Sequence, residues 1–330
     1  MGNLKCALFI GEFPLTPDAI SEELIRNGCD YLPIWDSQPS SGSHLRDVEV
    51  IVNRPHAADA KVIERWCNQS PELKMISLAF TGYDDVDLGA CESRGLHVYY
   101  CPDYSTPSVA ELTVALTLAV LRRIPAGDEN VRAGRFDTGG VQPGIELAGK
   151  TIGILGTGTI GMHSSRLFRA LGCQVIGSSR TRRQEFIDMG GVYLDRDDVL
   201  RLADVLVLHL ALKEGATRQI IDARALRLMR PGAILINTAR AALVDTVSLA
   251  SALTEGRIAG AGIDVYDDEK ALLGGTENPL LDLPNVVLTP HVGFKTHESL
   301  ERLTRMAIAN IARWRRNDPI NRLLASAEQD

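Results

Sequence analysis

Apolar residues follow two rhythms along this chain. Short unbroken apolar runs alternate with longer stretches in which apolar residues recur every third or fourth position. The first rhythm reads as strands buried on both faces, the second as amphipathic helices. Residues 5–10, 48–52, 74–80 and 98–100 are strand-like runs, and 16–27, 60–68 and 86–94 are helical. Thr16 as N-cap, Pro17 at the first helical position and Gly28 past the end bound the first of these helices. A second series has strands at 174–177, 205–208, 233–237, 261–265 and 286–288, with long helices at 108–123 and 298–314. Strands alternating with helices imply parallel sheets, so the first hundred residues read as one small α/β domain. Helix 108–123 is apolar on nearly every side, which predicts burial between two domains. Residues 127–149 are glycine-rich and poorly periodic, and predict an extended arm that reaches a partner subunit. The tail after Pro319 is expected to pack back on the first domain.

Between the two series lies Thr151-Ile152-Gly153-Ile154-Leu155-Gly156-Thr157-Gly158-Thr159-Ile160-Gly161. A buried strand runs into Gly156, Gly158 and Gly161 in G-x-G-x-x-G spacing, then into a helix expected over 162–171. In such a turn one glycine makes the bend, one lets backbone approach a pyrophosphate, and one lets helix and strand pack closely. The helix N-terminus offers unbonded N–H groups to the phosphates. A plain glycine turn is the alternative. The strand before, the helix after and the next strand at 174–177 favour a dinucleotide.

Composition narrows the partners. The chain has 330 residues, room for two domains, and 45% of them are hydrophobic. Its net charge of -7 disfavours nucleic acid or an anionic membrane. Cysteines 6, 29, 67, 91, 101 and 173 are scattered without a C-x-x-C pair, as expected of reduced thiols. No His/Cys set has metal-ligand spacing, so no metal is expected. Without a signal peptide or a membrane-length apolar run, a cytoplasmic protein is expected.

Ligands of open parallel sheets bind outside the carboxyl ends of the strands. Three late strands end in Asn237-Thr238-Ala239-Arg240, in Asp264-Val265-Tyr266-Asp267-Asp268-Glu269 and in Thr289-Pro290-His291. Each residue taken singly has a structural reading: Arg240 in a surface ion pair, Glu269 in a solvated acidic loop, His291 as a satisfied histidine. Together on successive strand ends they suit reduction of a 2-oxo acid. Arg240 would clamp the substrate carboxylate and polarise the keto oxygen. His291 would donate the proton as hydride arrives, and Glu269 would favour the protonated ring. His209 has only apolar neighbours in sequence and reads as a cofactor-pocket or core residue.

These motifs resemble the D-isomer-specific 2-hydroxyacid dehydrogenases, which include glyoxylate/hydroxypyruvate reductases, D-lactate and phosphoglycerate dehydrogenases. The resemblance covers nearly the whole chain. Its carriers are Gly82-Tyr83-Asp84-Asp85-Val86-Asp87, Ser108-Val109-Ala110-Glu111, Glu146-Leu147-Ala148-Gly149-Lys150, the glycine loop, Asn237-Thr238-Ala239-Arg240, Leu243-Val244-Asp245, Gly262-Ile263-Asp264-Val265-Tyr266 and Thr289-Pro290-His291. It implies the triad Arg240, Glu269 and His291, with Glu269 rather than Asp267 as the histidine's partner. It implies that backbone N–H groups near Thr81 and Gly82 hold the substrate carboxylate, that Tyr104 lies in the substrate pocket, and that Asp264 lies near the nicotinamide amide. It also implies a dimer built through the cofactor domains. Ala241, Ala211 and Lys270 stand where the family usually has glycine, proline and proline, and Phe294 and Lys295 stand where small residues are common.

The expected fold is therefore α/β. A Rossmann-type doubly wound parallel-sheet cofactor domain spans 103–296, and a smaller flavodoxin-like α/β substrate domain is discontinuous over 1–102 and 297–330, with a cleft between them. The expected cofactor contacts are Gly156, Gly158, Thr159, Ile160, Ser179, Arg180, Thr181, His209, Leu210, Thr238, Ala239, Arg240, Asp264, His291 and Gly293. The expected substrate contacts are Arg54, Phe80, Thr81, Gly82 and Tyr104. NAD enzymes of this kind place an acid at the end of the second strand, about 20 residues past the glycine loop. Here Ser179 takes that place and Arg180 follows, which favours NADP(H) with NAD(H) possible. Arg54 and Lys295 could read a second anionic group on the substrate, or could be solvated cations. The expected function is reversible reduction of a small 2-oxo acid such as glyoxylate or hydroxypyruvate. The alternatives are a formate- or phosphite-type dehydrogenase and a nucleotide-sensing corepressor-like binding protein.

Overall fold

The computed structural model describes residues 6–36, 45–54, 58–136, 143–213, 215–267 and 278–324. Glu269 lies outside the described residues, as do Asp268 and Lys270. In chain order the strands are β1 (Cys6–Ile10), β2 (Leu32–Asp36), β3 (Val48–Asn53), β4 (Met75–Leu78), β5 (His97–Tyr99), β6 (Thr151–Leu155), β7 (Gln174–Ser178), β8 (Val192–Tyr193), β9 (Val205–Leu208), β10 (Ile234–Asn237), β11 (Gly260–Ile263), β12 (Val286–Leu288) and β13 (Arg322–Leu324). The helices are α1 (Pro17–Arg26), α2 (Ala60–Gln69), α3 (Leu88–Glu92), α4 (Thr106–Leu121), α5 (Ile124–Arg132), α6 (Thr159–Ala170), α7 (Gln184–Asp188), α8 (Arg196–Leu202), α9 (Ala223–Leu228), α10 (Thr246–Thr254) and α11 (His297–Arg315). The chain divides into two compact units, Met1–Ser105 with Lys295–Asp330, and Thr106–Phe294.

The first unit carries a sheet in the order β2-β1-β3-β4-β5-β13. Every neighbouring pair is parallel except β13, which runs antiparallel to β5 and so brings the tail onto this sheet. The order 2-1-3-4-5 is that of flavodoxin-like sheets. Strands β1, β3 and β4 are buried along their whole length, which is why they read as unbroken apolar runs. Helix α1 starts as its sequence dictates: Thr16 Oγ1 accepts the Ala19 N–H at 3.3 Å and Pro17 opens the first turn. Helix α11 lies against β3 and β4, and the Ser77 hydroxyl donates to the Ala307 carbonyl at 3.0 Å.

The second unit carries a seven-stranded sheet in the order β8-β7-β6-β9-β10-β11-β12, parallel throughout. It is the doubly wound order 3-2-1-4-5-6 with a seventh strand added, and its direction of winding reverses between β6 and β9. Alternate residues of each strand go to opposite faces. Ile152, Ile154, Val205, Val207, Ile234 and Ile236 pack with Leu116 of α4 and with Met162 and Phe168 of α6. Leu155, Leu206, Leu208 and Leu235 pack with residues of α8, α9 and α10 on the other face. Helix α4 lies on β10, β11 and β12 and against α6.

The structure corrects two sequence expectations. The stretch expected as an extended arm begins with a helix, α5, none of whose residues is buried in this chain. Residues 137–142 of that stretch lie outside the described residues. Helix α6 begins at Thr159 rather than 162, because Gly158 is its N-cap and Gly161 lies inside its first turn. Among the described residues no helix is long and apolar enough to cross a membrane.

Candidate active site

The glycine loop joins β6 to α6 at the point where the winding reverses. Gly156 has φ 96°, and its N–H donates to the Ser178 carbonyl at 2.9 Å. A Cβ on Gly156 would lie 2.6 Å from the His209 carbonyl oxygen. One on Gly161 would collide with the carbonyl of Gly156, so only glycine lets α6 approach the loop this closely. At Gly158 the same test meets nothing within 4 Å. As N-cap, Gly158 also gives no side-chain bond to the first turn, where Thr159 and Ile160 sit. An open backbone at the uncapped start of a helix is what a pyrophosphate needs, so these residues fit a dinucleotide.

His209 stands behind this loop, at the end of β9, followed by the half-buried Leu210. Its N–H donates to the Leu155 carbonyl at 2.8 Å, and its ring Nε2 lies 2.9 Å from Ser164 Oγ. Burial pushes its pKa from 6.5 down to about 3, so the imidazole is neutral at ordinary pH.

Three adjacent parallel strands then carry the candidate catalytic residues at their ends. Asn237, Ile263 and Leu288 are in register at the carboxyl ends of β10, β11 and β12. Past β10, the buried Asn237 side chain donates from Nδ2 to the Arg240 carbonyl at 2.9 Å and accepts the Ala239 N–H at 3.1 Å. This clamp fixes the backbone of the turn that carries Arg240. The half-buried guanidinium donates from Nη1 to the Ala239 carbonyl at 2.9 Å. Thr113 donates its hydroxyl proton to the Val109 carbonyl, so Thr238 is the donor in the 2.9 Å contact between Thr238 and Thr113, which ties the turn to α4.

Past β11, Asp264 is 1% exposed. Its Oδ1 accepts from Thr289 Oγ1 at 2.6 Å and from the Val292 N–H at 2.9 Å, and its Oδ2 accepts the Gly293 N–H at 2.9 Å. The Tyr266 hydroxyl reaches the Thr289 carbonyl at 3.0 Å. Asp264 and Tyr266 thus hold both sides of the loop that presents His291. His291 itself has φ 53°, a left-handed conformation unusual for a residue with a Cβ. The ring of Phe294 meets its imidazole edge-on at 5.8 Å. Arg240, Asp264 and His291 therefore share one edge of the second sheet.

The first unit carries candidate groups of its own at the carboxyl edge of its sheet. Arg54 follows β3; its N–H donates to the Ile10 carbonyl at 3.1 Å, and its guanidinium lies 6.0 Å from the centre of the Phe13 ring. Burial lowers its pKa, an effect opposed by the charge of Glu12 and by Tyr104. Past β4 comes Phe80, which is 1% exposed in the core. Thr81 Oγ1 donates to the Cys101 carbonyl at 2.7 Å. Among the described residues the N–H groups of Thr81 and Gly82 have no acceptor. Tyr104 is 4% exposed, and its carbonyl accepts from Arg302 Nε at 2.9 Å.

At the end of β7, Ser179 is half-buried and Arg180 and Thr181 are exposed. Residues 178–184 include no Asp or Glu. Sequence reasoning missed Tyr193, which links this segment to the glycine loop through contacts between residues 36 positions apart. It also missed the loop-holding part of Asp264 and Tyr266. Their motif was visible, but their hydrogen bonds to residues beyond 288 were not. Among the described residues no group of His, Cys, Asp and Glu could hold a metal ion.

Residues 114–293 match the family model of the D-isomer specific 2-hydroxyacid dehydrogenase NAD binding domain. Over 274 residues the chain is 38% identical to a glyoxylate reductase of Thermococcus litoralis, covering 81% of this chain and 80% of that one. The D-lactate dehydrogenase from Aquifex aeolicus, complexed with NAD and lactic acid, superposes with a TM-score of 0.79 at 27% identity, covering 97% of this chain and 100% of that one. An acyclic imino acid reductase, Bsp5, in complex with NADPH and D-Arg, also gives 0.79, at 28% identity over 96% of this chain and 100% of that one. With its doubly wound sheet, its glycine loop and these likenesses, the chain belongs to the D-isomer-specific 2-hydroxyacid dehydrogenase family and is an enzyme that uses a nicotinamide cofactor.

Proposed function

We propose that this enzyme reduces a small 2-oxo acid to the D-2-hydroxy acid with NADPH, reversibly. The observation that carries the reading is the shared edge on which the turn past β10 presents Arg240 and the loop past β12 presents His291, either side of Asp264. A nicotinamide cofactor held by the glycine loop between β6 and α6 would supply hydride-transfer chemistry. Arg240 pairs with the substrate carboxylate and draws charge onto the keto oxygen. His291 gives its proton to that oxygen and takes it back in the reverse direction. Glu269 is assigned as the imidazole's partner on the family resemblance. Asn237, Asp264 and Tyr266 fix the backbones that carry Arg240 and His291. The unbonded N–H groups of Thr81 and Gly82 support a carboxylate seat on the first unit, taken here as the substrate-binding domain.

Glyoxylate and hydroxypyruvate head the substrate candidates, in keeping with the name of the Thermococcus litoralis relative. Ser179 and Arg180 at the end of β7 support NADPH over NADH, since a carboxylate there would repel a 2′-phosphate. A homodimer through the cofactor domains fits the large apolar side chains that α5 and its continuation expose, Ile124, Val131 and Phe136.

The test is oxidation of NADPH and NADH, followed by nicotinamide absorbance, against glyoxylate, hydroxypyruvate, pyruvate and oxo acids bearing a second anion. NADPH-dependent turnover that disappears in His291→Ala is the expected result. Tight NADPH binding without turnover on any of them would overturn the reading.

A further inference from the structure

The segment that follows β7 carries three arginines, Arg180, Arg182 and Arg183, and among the described residues none of them is in an ion pair. One side chain ties this segment down. Tyr193 lies on β8, paired with Gly177 of β7, so its hydroxyl reaches back over the end of β7. That hydroxyl accepts the N–H of Arg183 at 3.0 Å and lies 2.7 Å from Thr157 Oγ1. Thr157 is the buried residue between the first two glycines of the loop. The face of the Tyr193 ring carries the guanidinium of Arg182, 5.7 Å from its centre. The buried Phe186 packs against the same ring at 4.6 Å between centres. The space is full: a Cβ on Gly177 would come within 2.9 Å of Phe186 Cζ and 3.1 Å of Thr157 Cγ2.

We propose that Tyr193 is a positioning residue for cofactor selection, and that Arg182, held on its ring, is a cation that reads the 2′-phosphate beside Ser179 and Arg180. The inference rests on the NADPH reading given above. Its physical content is that a 2′-phosphate is recognised only if the basic segment is held in place before the cofactor arrives. A free arginine on a mobile turn loses side-chain and backbone entropy on binding. Here the hydroxyl of Tyr193 joins that turn to the loop that receives the pyrophosphate. The phosphates at the two ends of the adenosine half are thus referred to one rigid post. NADH has no 2′-phosphate and gains nothing from the arrangement.

The experiment measures dissociation constants of NADPH and NADH by nicotinamide fluorescence for the wild type, Tyr193→Phe and Arg182→Gln. Tyr193→Phe keeps the ring for Phe186 and Arg182 and removes only the hydroxyl. NADPH binding is expected to weaken about threefold to tenfold, the worth of one hydrogen bond, with NADH changed less than about twofold. In turnover the loss should fall on KM for NADPH and not on kcat. Arg182→Gln, a change at an exposed side chain, should show the same NADPH-selective loss. Equal weakening of both cofactors by Tyr193→Phe would reduce the tyrosine to a structural role and overturn the proposal, as would no weakening of either. The wild-type ratio tests the NADPH reading separately. A wild type that binds NADH more tightly defeats that reading, whereas an unchanged NADPH/NADH ratio in both variants defeats the role of Tyr193 and Arg182 whichever cofactor is preferred.

Discussion

The buried carboxylate of Asp264 accepts the backbone N–H of Gly293 at 2.9 Å, two residues past the histidine assigned to proton transfer. With its bonds to Val292 and Thr289 on the other oxygen, this one side chain fixes the chain on both sides of His291. It does so where His291 sits at φ 53°, a conformation that a residue with a Cβ holds only under constraint. Asp264→Ala leaves two N–H groups and a hydroxyl without their acceptor. Stability should fall by about 2–4 kcal/mol, and kcat by on the order of a hundredfold as the imidazole drifts from its position. Asp264→Asn keeps one acceptor oxygen and should lie between. Urea unfolding and steady-state turnover on the same preparations check both; full activity in the alanine variant would show that His291 does not depend on this carboxylate.

How much of this was legible beforehand follows from where the information sits. The strands of both sheets read as apolar runs because helices cover both faces, and the glycine loop reads because each glycine answers a local steric demand. Strand β2, an edge strand interrupted by Pro33, and the edge strand β8, only two residues long, escaped notice. The short helices α7, α8 and α9 span less than two turns each, too little for a period to show. At the site, the residue types were visible at the strand ends. The holding bonds of Asp264, Asn237 and Tyr193 were not, since they depend on which loops the sheet order brings together. Glu269 was read from its place past β11, the family resemblance chose it over Asp267, and it lies outside the described residues.

His209 makes a prediction about acid. Its pKa of about 3 in the folded protein lies below its ordinary 6.5, so the unfolded chain binds the proton more readily. The stabilising effect is complete above pH 6.5 and is lost as pH falls toward 3. Between pH 6 and pH 4 this one group should remove about 2.5 kcal/mol of stability. Other groups also titrate there, so the diagnostic quantity is the difference from His209→Gln, whose neutral amide carries no such dependence. Denaturant midpoints of the two proteins at several pH values should converge as pH falls. Parallel curves would mean that the ring is not held neutral.

Arg54 makes a prediction about substrates. It is half-buried beside Phe13 and forms no ion pair among the described residues, so a second substrate anion is a fitting partner. Arg54→Ala should reduce kcat/KM about tenfold to a hundredfold on oxo acids with a distal carboxylate or phosphate, the worth of a charge-assisted bond. Glyoxylate and pyruvate, which carry a single anion, should be affected far less. Equal losses on both classes, or none, would return Arg54 to a packing role.

Ser179 makes the sharpest prediction about the cofactor. The residue directly follows β7, whose last carbonyl, that of Ser178, accepts the N–H of Gly156, so position 179 stands beside the glycine loop. A carboxylate introduced there would face the ribose 2′ position in either cofactor. With NADH it gains hydrogen bonds to the 2′-hydroxyl; with NADPH it meets a phosphate of the same sign. Both effects move the preference in one direction, so Ser179→Asp should lower the ratio of kcat/KM for NADPH over NADH by about tenfold or more. The arginines remain in this variant, so NADPH binding should be reduced and not abolished. Adding Arg180→Ala should then carry the preference further toward NADH. A ratio that stays put in Ser179→Asp would place the 2′ position elsewhere and remove the basis for assigning NADPH from this strand end.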